Sequence, residues 1–191
     1  MGAGKSEVAK ILKRRGFFVI DADRLAHELY IPQSPVWCEL VKAFGSRILN
    51  RGGAVNRRKL GEIVFNDRKK LDKLNQIMRP GLREEIEHRA QSMPCLPAGR
   101  EHRTQGAIIN AALPQLFEGL ADKIWVVVAS KEKRLRRLIK NGSTRAQALK
   151  RMGAQLSQAE YLKLADVVIK NEGSLKQLKQ QVTDADKTVI P

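Results

Sequence analysis

The chain has 191 residues, 42% hydrophobic and 29% charged, enough for one buried core with a subsidiary lobe in a folded soluble protein. No apolar run approaches the ~20 residues that cross a bilayer, and charge arrives at Lys5 and Glu7 before any leader-like segment. Cys38 and Cys95 lack ligand spacing, which fits a reducing cytoplasm, and 36 Lys and Arg against 20 Asp and Glu, +16 in all, favour polyanionic partners.

The first residues read MGAGKSEVAK. Gly4-Lys5-Ser6 closes the pattern G-x-x-x-x-G-K-[ST], whose first glycine and preceding strand would lie upstream of Met1. Ser6 to Gly16 reads as a helix, with Val8, Ile11 and Leu12 on one face and Gly16 where a glycine ends a helix. FFVI at 17–20 is a continuous apolar run, the mark of a strand buried on both faces, and it ends in Asp21-Ala22-Asp23.

A long helical region follows. Trp37, Leu40, Val41 and Phe44 form one stripe closed by Gly45; Leu60, Ile63 and Val64 form a second; Leu71, Leu74, Ile77 and Met78 form a third that Pro80 is expected to end. Residues 92–105 show no periodicity and read as a long loop. AIINA (107–111), IWVVV (124–128) and DVVIK (166–170) are further apolar strands, and their alternation with helices predicts a parallel α/β sheet. Between the last two lies a cationic stretch, Lys131 to Arg151, with nine basic residues and one acid, Glu132. Ser174 is a good N-cap for a closing helix with Leu175, Leu178 and Val182, and TDADKTVIP reads as a frayed tail without chemistry.

A phosphate loop works because successive N–H groups curve around the anion while a helix amino end adds favourable partial charge. Gly2, Ala3 and Gly4 let the main chain approach, Lys5 reaches the β- and γ-phosphates, and the Ser6 hydroxyl holds Mg²⁺; Glu7 completes the nucleotide-binding set. Asp21 and Asp23 stand at the carboxyl end of a strand, where ligands of open α/β sheets gather. A carboxylate there takes a proton from an attacking hydroxyl or organises the metal; Asp23 is assigned the first role and Asp21 the second. The bland alternative makes Asp23 the N-cap of DRLAHELY. The cationic stretch suits a lid over a transferring phosphoryl group, with Arg137, Lys140, Arg145 and Arg151 as candidates among which spacing alone does not choose; Arg137 is the one taken as catalytic.

These residues closely resemble the dephospho-coenzyme A kinase family. The likeness runs through GAGKS at 2–6, VIDADRLAHEL at 19–29, KLGEIVFND at 59–67, LFEGL at 116–120, WVVVAS at 125–130 and ADVVIKNEGSLKQLKQQV at 165–182. It implies a P-loop kinase, with a parallel sheet flanked by helices and its first, central strand missing from this chain. The core would comprise 1–30, 105–133 and 161–184, with a helical substrate lobe at 31–91, an inserted loop at 92–105 and a lid at 134–160. The implied reaction moves the γ-phosphoryl of ATP to the ribose 3′-hydroxyl of dephospho-coenzyme A, with Asp23 as base, Lys5 and Ser6 serving ATP and Mg²⁺, and Asn171 and Gly173 near the adenine.

Four departures from the family pattern stand out. The opening strand and first half of the loop precede Met1, so the chain is read as lacking its start; Asn110 replaces an acid; Arg79-Pro80 replaces His-Pro; and the lid is about one residue short after Leu138. A neutral amide at Asn110 brings no charge to Mg²⁺. The competing readings are another P-loop kinase for nucleosides or nucleotides, an inactive nucleotide-binding relative, and a basic nucleic-acid binder. No aromatic platform or reader motif accompanies the charge, so neither nucleic acid nor membrane is expected as a partner.

Overall fold

The computed structural model describes residues 1–92, 106–117 and 119–189; of the loop expected at 92–105, all but Ser92 lies outside the described residues. From the amino end, α1 (Lys5–Arg14) leads to β1 (Phe18–Asp21), α2 (Ala22–Leu29), α3 (Pro35–Phe44), α4 (Arg57–Val64) and α5 (Arg68–Gln91). Then come β2 (Ala107–Asn110), β3 (Trp125–Val128), α6 (Lys131–Lys140), α7 (Arg145–Gly153), α8 (Gln158–Lys163), β4 (Val167–Lys170) and α9 (Leu175–Val189). The chain divides into two compact units. One takes in Met1–Val19 with the described residues of 94–114 and 121–191; the other takes in the described residues of 20–93 and 115–120.

The first unit is an α/β layer. β3 and β4 are parallel, with Trp125 opposite Val167 and Val128 opposite Lys170. β1 pairs with β2 in a separate two-stranded ladder, and the Phe18 N–H donates to Gly106 O at 3.0 Å. No residue of 17–20 or of β3 is exposed, with Val126 buried and Trp125 and Val127 against the core, whereas β4 exposes Val168 at 40%, so the expected burial on both faces holds for FFVI and β3 and not for β4. α1 packs on both β2 and β3 and on α9. Val8, Ile11 and Leu12 of α1, Ile169 of β4, and Leu178 and Val182 of α9 form the core, with Phe17, Ile108, Trp125 and Val127 against it. Each large aliphatic side chain buried here contributes roughly 1.5–3 kcal/mol.

The carboxyl end corrects the expected tail. α9 continues through Thr183–Val189 because Asp186, 3% exposed, extends the stripe of Leu178 and Val182 and its carboxylate meets a cation. Arg15 Nε donates to Asp186 Oδ2 at 2.6 Å, tying α9 to the end of α1.

The second unit is a helical lobe in which α5 packs against α2, α3 and α4. Leu25, Leu40, Phe44, Ile48, Leu60, Val64, Leu71, Met78, Leu82 and Ile86 are buried. Side-chain caps set the helix starts: Ser34 accepts from Trp37 N, Asn56 from Arg58 and Lys59 N, and Asp67 from Lys69 and Lys70 N. Gly45 closes α3 at φ 77°, as expected. Pro80 does not end the third stripe. It lies inside α5, where it removes one main-chain bond while Met78, Leu82 and Ile86 continue the buried face across it. No helix among the described residues is long and apolar enough to cross a membrane.

Candidate active site

The loop at the amino end is built by its carbonyl contacts. α1 begins after Gly4, which sits at φ 105° with no side-chain cap; Gly4 O takes the N–H bonds of Glu7 and Val8 at 3.0 and 3.1 Å. The oxygens ahead of it are gripped by side chains of the same unit. Arg134 Nε donates to Met1 O at 2.9 Å. Arg137 Nη1 donates to Gly2 O at 3.2 Å and Ala3 O at 3.1 Å, and its Nη2 donates to Asn171 O at 3.2 Å. Asn171 Nδ2 adds a bond to Ala3 O at 2.7 Å. The Met1 amino group also donates to Gln155.

The grip depends on how α6 and the β4 end are fixed. Asn171 is 7% exposed and its N–H donates to Val128 O at 2.8 Å, extending the β3–β4 ladder by one bond. Next in sequence, Glu172 accepts from the Ser130 N–H and pairs with Lys133 at 3.1 Å, anchoring the first turn of α6. The hydrogen bond from Lys133 holds the Glu172 carboxyl below its usual range. Three residues apart on α6, Arg134 and Arg137 share the face toward the loop. The glycines are required by this fit: a Cβ on Gly4 would strike the Asn171 amide, and one on Gly2 (φ 72°) would come within 2.7 Å of Arg134 O.

The acidic residues belong to the second unit. Asp21, not Asp23, caps α2, its Oδ1 accepting from Arg24 N at 3.0 Å. Asp23 occupies the first turn, exposed because Ala22 and Leu25 take the buried face. One turn on stands His27, whose Nδ1 lies 3.2 Å from Arg57 Nη1 and whose ring meets Tyr30 edge-on at 5.7 Å. With Arg57 as donor, Nδ1 is the acceptor and the neutral ring carries its proton on Nε2. Partial burial and then the Arg57 charge lower the His27 pKa, outweighing the opposing pull of Asp23 and Asp21. Burial pushes the Tyr30 hydroxyl up.

The structure therefore brings Gly2, Ala3, Gly4, Arg137 and Asn171 together within one unit. Lys5 and Ser6 open α1, Glu7 pairs with Lys10 at 3.3 Å, and a Cβ on Gly173 would strike Gln177. Lys140, Arg145 and Arg151 are exposed. Arg134, Gln155, Glu172, His27 and Arg57 were not anticipated from the sequence. Arg134 has a signal in its i,i+3 spacing to Arg137, and His27 in its i,i+4 spacing to Asp23; Arg57, 30 positions from His27, has none.

Among the described residues no three His, Cys, Asp or Glu side chains converge as metal ligands. Ser6 is an exposed hydroxyl, one Asp21 oxygen accepts from the main chain, and Asn110 is neutral. Met by the Ser6 hydroxyl alone in the α/β unit, a Mg²⁺ ion would draw most of its oxygens from nucleotide phosphates and water.

The family model for dephospho-CoA kinase (CoaE) matches residues 1–177. The dephospho-CoA kinase of Carboxydothermus hydrogenoformans is 39% identical over 189 residues, covering 95% of this chain and 87% of the relative. The crystal structure of TT1252 from Thermus thermophilus superposes with a TM-score of 0.77 at 27% identity, covering 100% of this chain and 94% of that one. The dephospho-CoA kinase of Campylobacter jejuni shares the fold, with a TM-score of 0.64 at 24% identity over 100% of this chain and 93% of its own. The chain belongs to the dephospho-CoA kinase family.

Proposed function

We propose that this protein phosphorylates the ribose 3′-hydroxyl of dephospho-coenzyme A with ATP, giving coenzyme A and ADP in the last step of coenzyme A biosynthesis. The observation that carries the reading is the family match over residues 1–177, which includes both the loop and the DAD segment. Lys5 and the N–H groups of the loop hold the β- and γ-phosphates, and the partial charge at the start of α1 favours the same anion. Ser6 and Asp21 are the residues that would hold and organise Mg²⁺, which would supply positive charge at the phosphate oxygens. Asp23 accepts the proton of the 3′-hydroxyl as that oxygen bonds to the γ-phosphorus; the bond from the γ-phosphorus to the β,γ-bridging oxygen breaks, and ADP leaves. Gly173 and Asn171 lie beside the adenine, and the helical unit receives the acceptor. Arg137 takes part through the loop it holds. The setting is the cytoplasm.

The test is a coupled ADP-release assay with dephospho-coenzyme A and, separately, with nucleosides as acceptors, the product being identified by mass spectrometry as the 3′-phosphate. Turnover with a nucleoside but not with dephospho-coenzyme A overturns the reading. Absence of turnover together with nucleic-acid binding of steep salt dependence also overturns it.

A further inference from the structure

We infer that Arg137 and Asn171, assisted by Arg134, are positioning residues that aim the main-chain N–H groups of the phosphate loop. The inference rests on the kinase reading only in naming the nucleotide; its argument is the geometry of the peptide bond. In a trans peptide the C=O of one residue and the N–H of the next lie in one plane and point in opposite directions. The chain contains no cis peptide among its described residues. Arg137 and Asn171 draw the oxygens of Gly2 and Ala3 to one side. The N–H groups of Ala3 and Gly4 must then face the other. Arg134, holding Met1 O, does the same for the N–H of Gly2. Gly2 and Gly4 at φ 72° and 105° allow the chain to curve as this requires. Successive N–H groups turned to one concave side form an anion-binding nest.

This gives the guanidinium of Arg137 a task different from closing over a transferring phosphoryl group. Its Nη1 and Nη2 contact three carbonyl oxygens, and its planar fork spans them in a way a lysine ammonium does not. Asn171 is matched to the same task. Its N–H donates to Val128 O, its C=O accepts from Arg137, and its amide nitrogen reaches Ala3, so the end of β4 and the loop move as one body.

The experiment measures affinities for ADP, inorganic tripolyphosphate and adenosine in the full chain and in Arg137→Lys, Asn171→Asp and Asn171→Ala. ADP lacks the transferred group, so a residue that touched only the γ-phosphoryl would leave its affinity unchanged. The expected result is a loss of about tenfold or more for ADP and tripolyphosphate in all three variants, with adenosine affinity within about twofold in Arg137→Lys; the Asn171 variants, whose residue also stands beside the adenine, are read on tripolyphosphate. Asn171→Asp keeps the shape, lacks the side-chain N–H donor and adds a negative charge, so it is expected to lose at least as much anion affinity as Asn171→Ala. Unchanged ADP and tripolyphosphate affinities in folded variants overturn the inference. Should the variants fail to fold, the amide resonances of Ala3 and Gly4 in the unaltered protein decide: they shift on adding tripolyphosphate, or the inference falls. A protein that fails to phosphorylate dephospho-coenzyme A yet shows these losses refutes the kinase reading and leaves the positioning role standing.

Discussion

The two units use the same side chains differently. In the helical unit cations are matched to neighbouring acids on exposed helix faces: Arg24 with Glu28, Arg58 with Glu62, Arg68 with Asp72, and Arg89 with both Glu85 and Glu28. The α/β unit has such pairs too, Lys10 with Glu7 and Lys133 with Glu172, but its Arg134 and Arg137 meet successive main-chain oxygens of the loop. Exposed pairs of the first kind contribute little and are readily exchanged. Contacts of the second kind fix a backbone geometry, which no neighbouring residue supplies. Net charge, counted from the sequence, does not separate the two uses.

The sharpest break in this comparison is chemical. Asp23→Asn should lower kcat by about 10²–10⁴-fold through loss of the base, while ADP affinity, which depends on the other unit, stays within about twofold; a wild-type rate removes Asp23 from the reaction. Core substitutions come next. Leu178→Ala in the α/β unit and Leu40→Ala in the helical unit should each cost about 2–5 kcal/mol by denaturant titration. Equal losses of ADP affinity in both, after allowing for stability, would show that the loop does not depend on its own unit alone. Asp186→Ala should cost about 2 kcal/mol, short of the full penalty for a wholly buried pair because the Arg15 side chain is 32% exposed. By contrast Arg89→Ala should move Tm by no more than about two degrees.

Acid separates the units more gently. The His27 pKa is lowered in the fold, so its contribution is complete above its ordinary 6.5 and is lost as pH falls from 6.5 toward the lowered value. The groups facing it are Arg57, Asp23 and Asp21. In the α/β unit the lowered groups are carboxylates, Glu172 held down chiefly by Lys133 and Asp166 by the Ile124 N–H, and their contributions are lost only as pH falls below 4.5 and 3.8 respectively. Asp67 and Glu28 add the same late loss to the helical unit. Monitored by thermal melting, His27→Gln should remove the step that begins near pH 6.5 and leave the later one.

What was legible in the sequence was whatever periodicity encodes. The α1 face of Val8, Ile11 and Leu12, the α3 stripe closed by Gly45, and the four strands all stand near their expected positions. Pro80 misleads because a proline rule is local, whereas α5 is held by packing on both sides of it. Asp186 misleads because a carboxylate reads as surface until Arg15, 171 positions away, comes beside it. The site shows the same limit. GAGKS and DAD are visible as motifs, but the partners of Arg137 are carbonyl oxygens, which every residue carries and no sequence pattern marks.

The placement of the indoles gives the protein a pair of built-in optical probes. It has two tryptophans, and each unit holds one. Trp37 in the helical unit donates its Nε1–H to Gly53 O at 2.9 Å, while Trp125 on β3 lies against the α/β core. Single-tryptophan versions, Trp37→Phe and Trp125→Phe, therefore report separately on each half, and a nucleotide titration followed through both shows which half responds first.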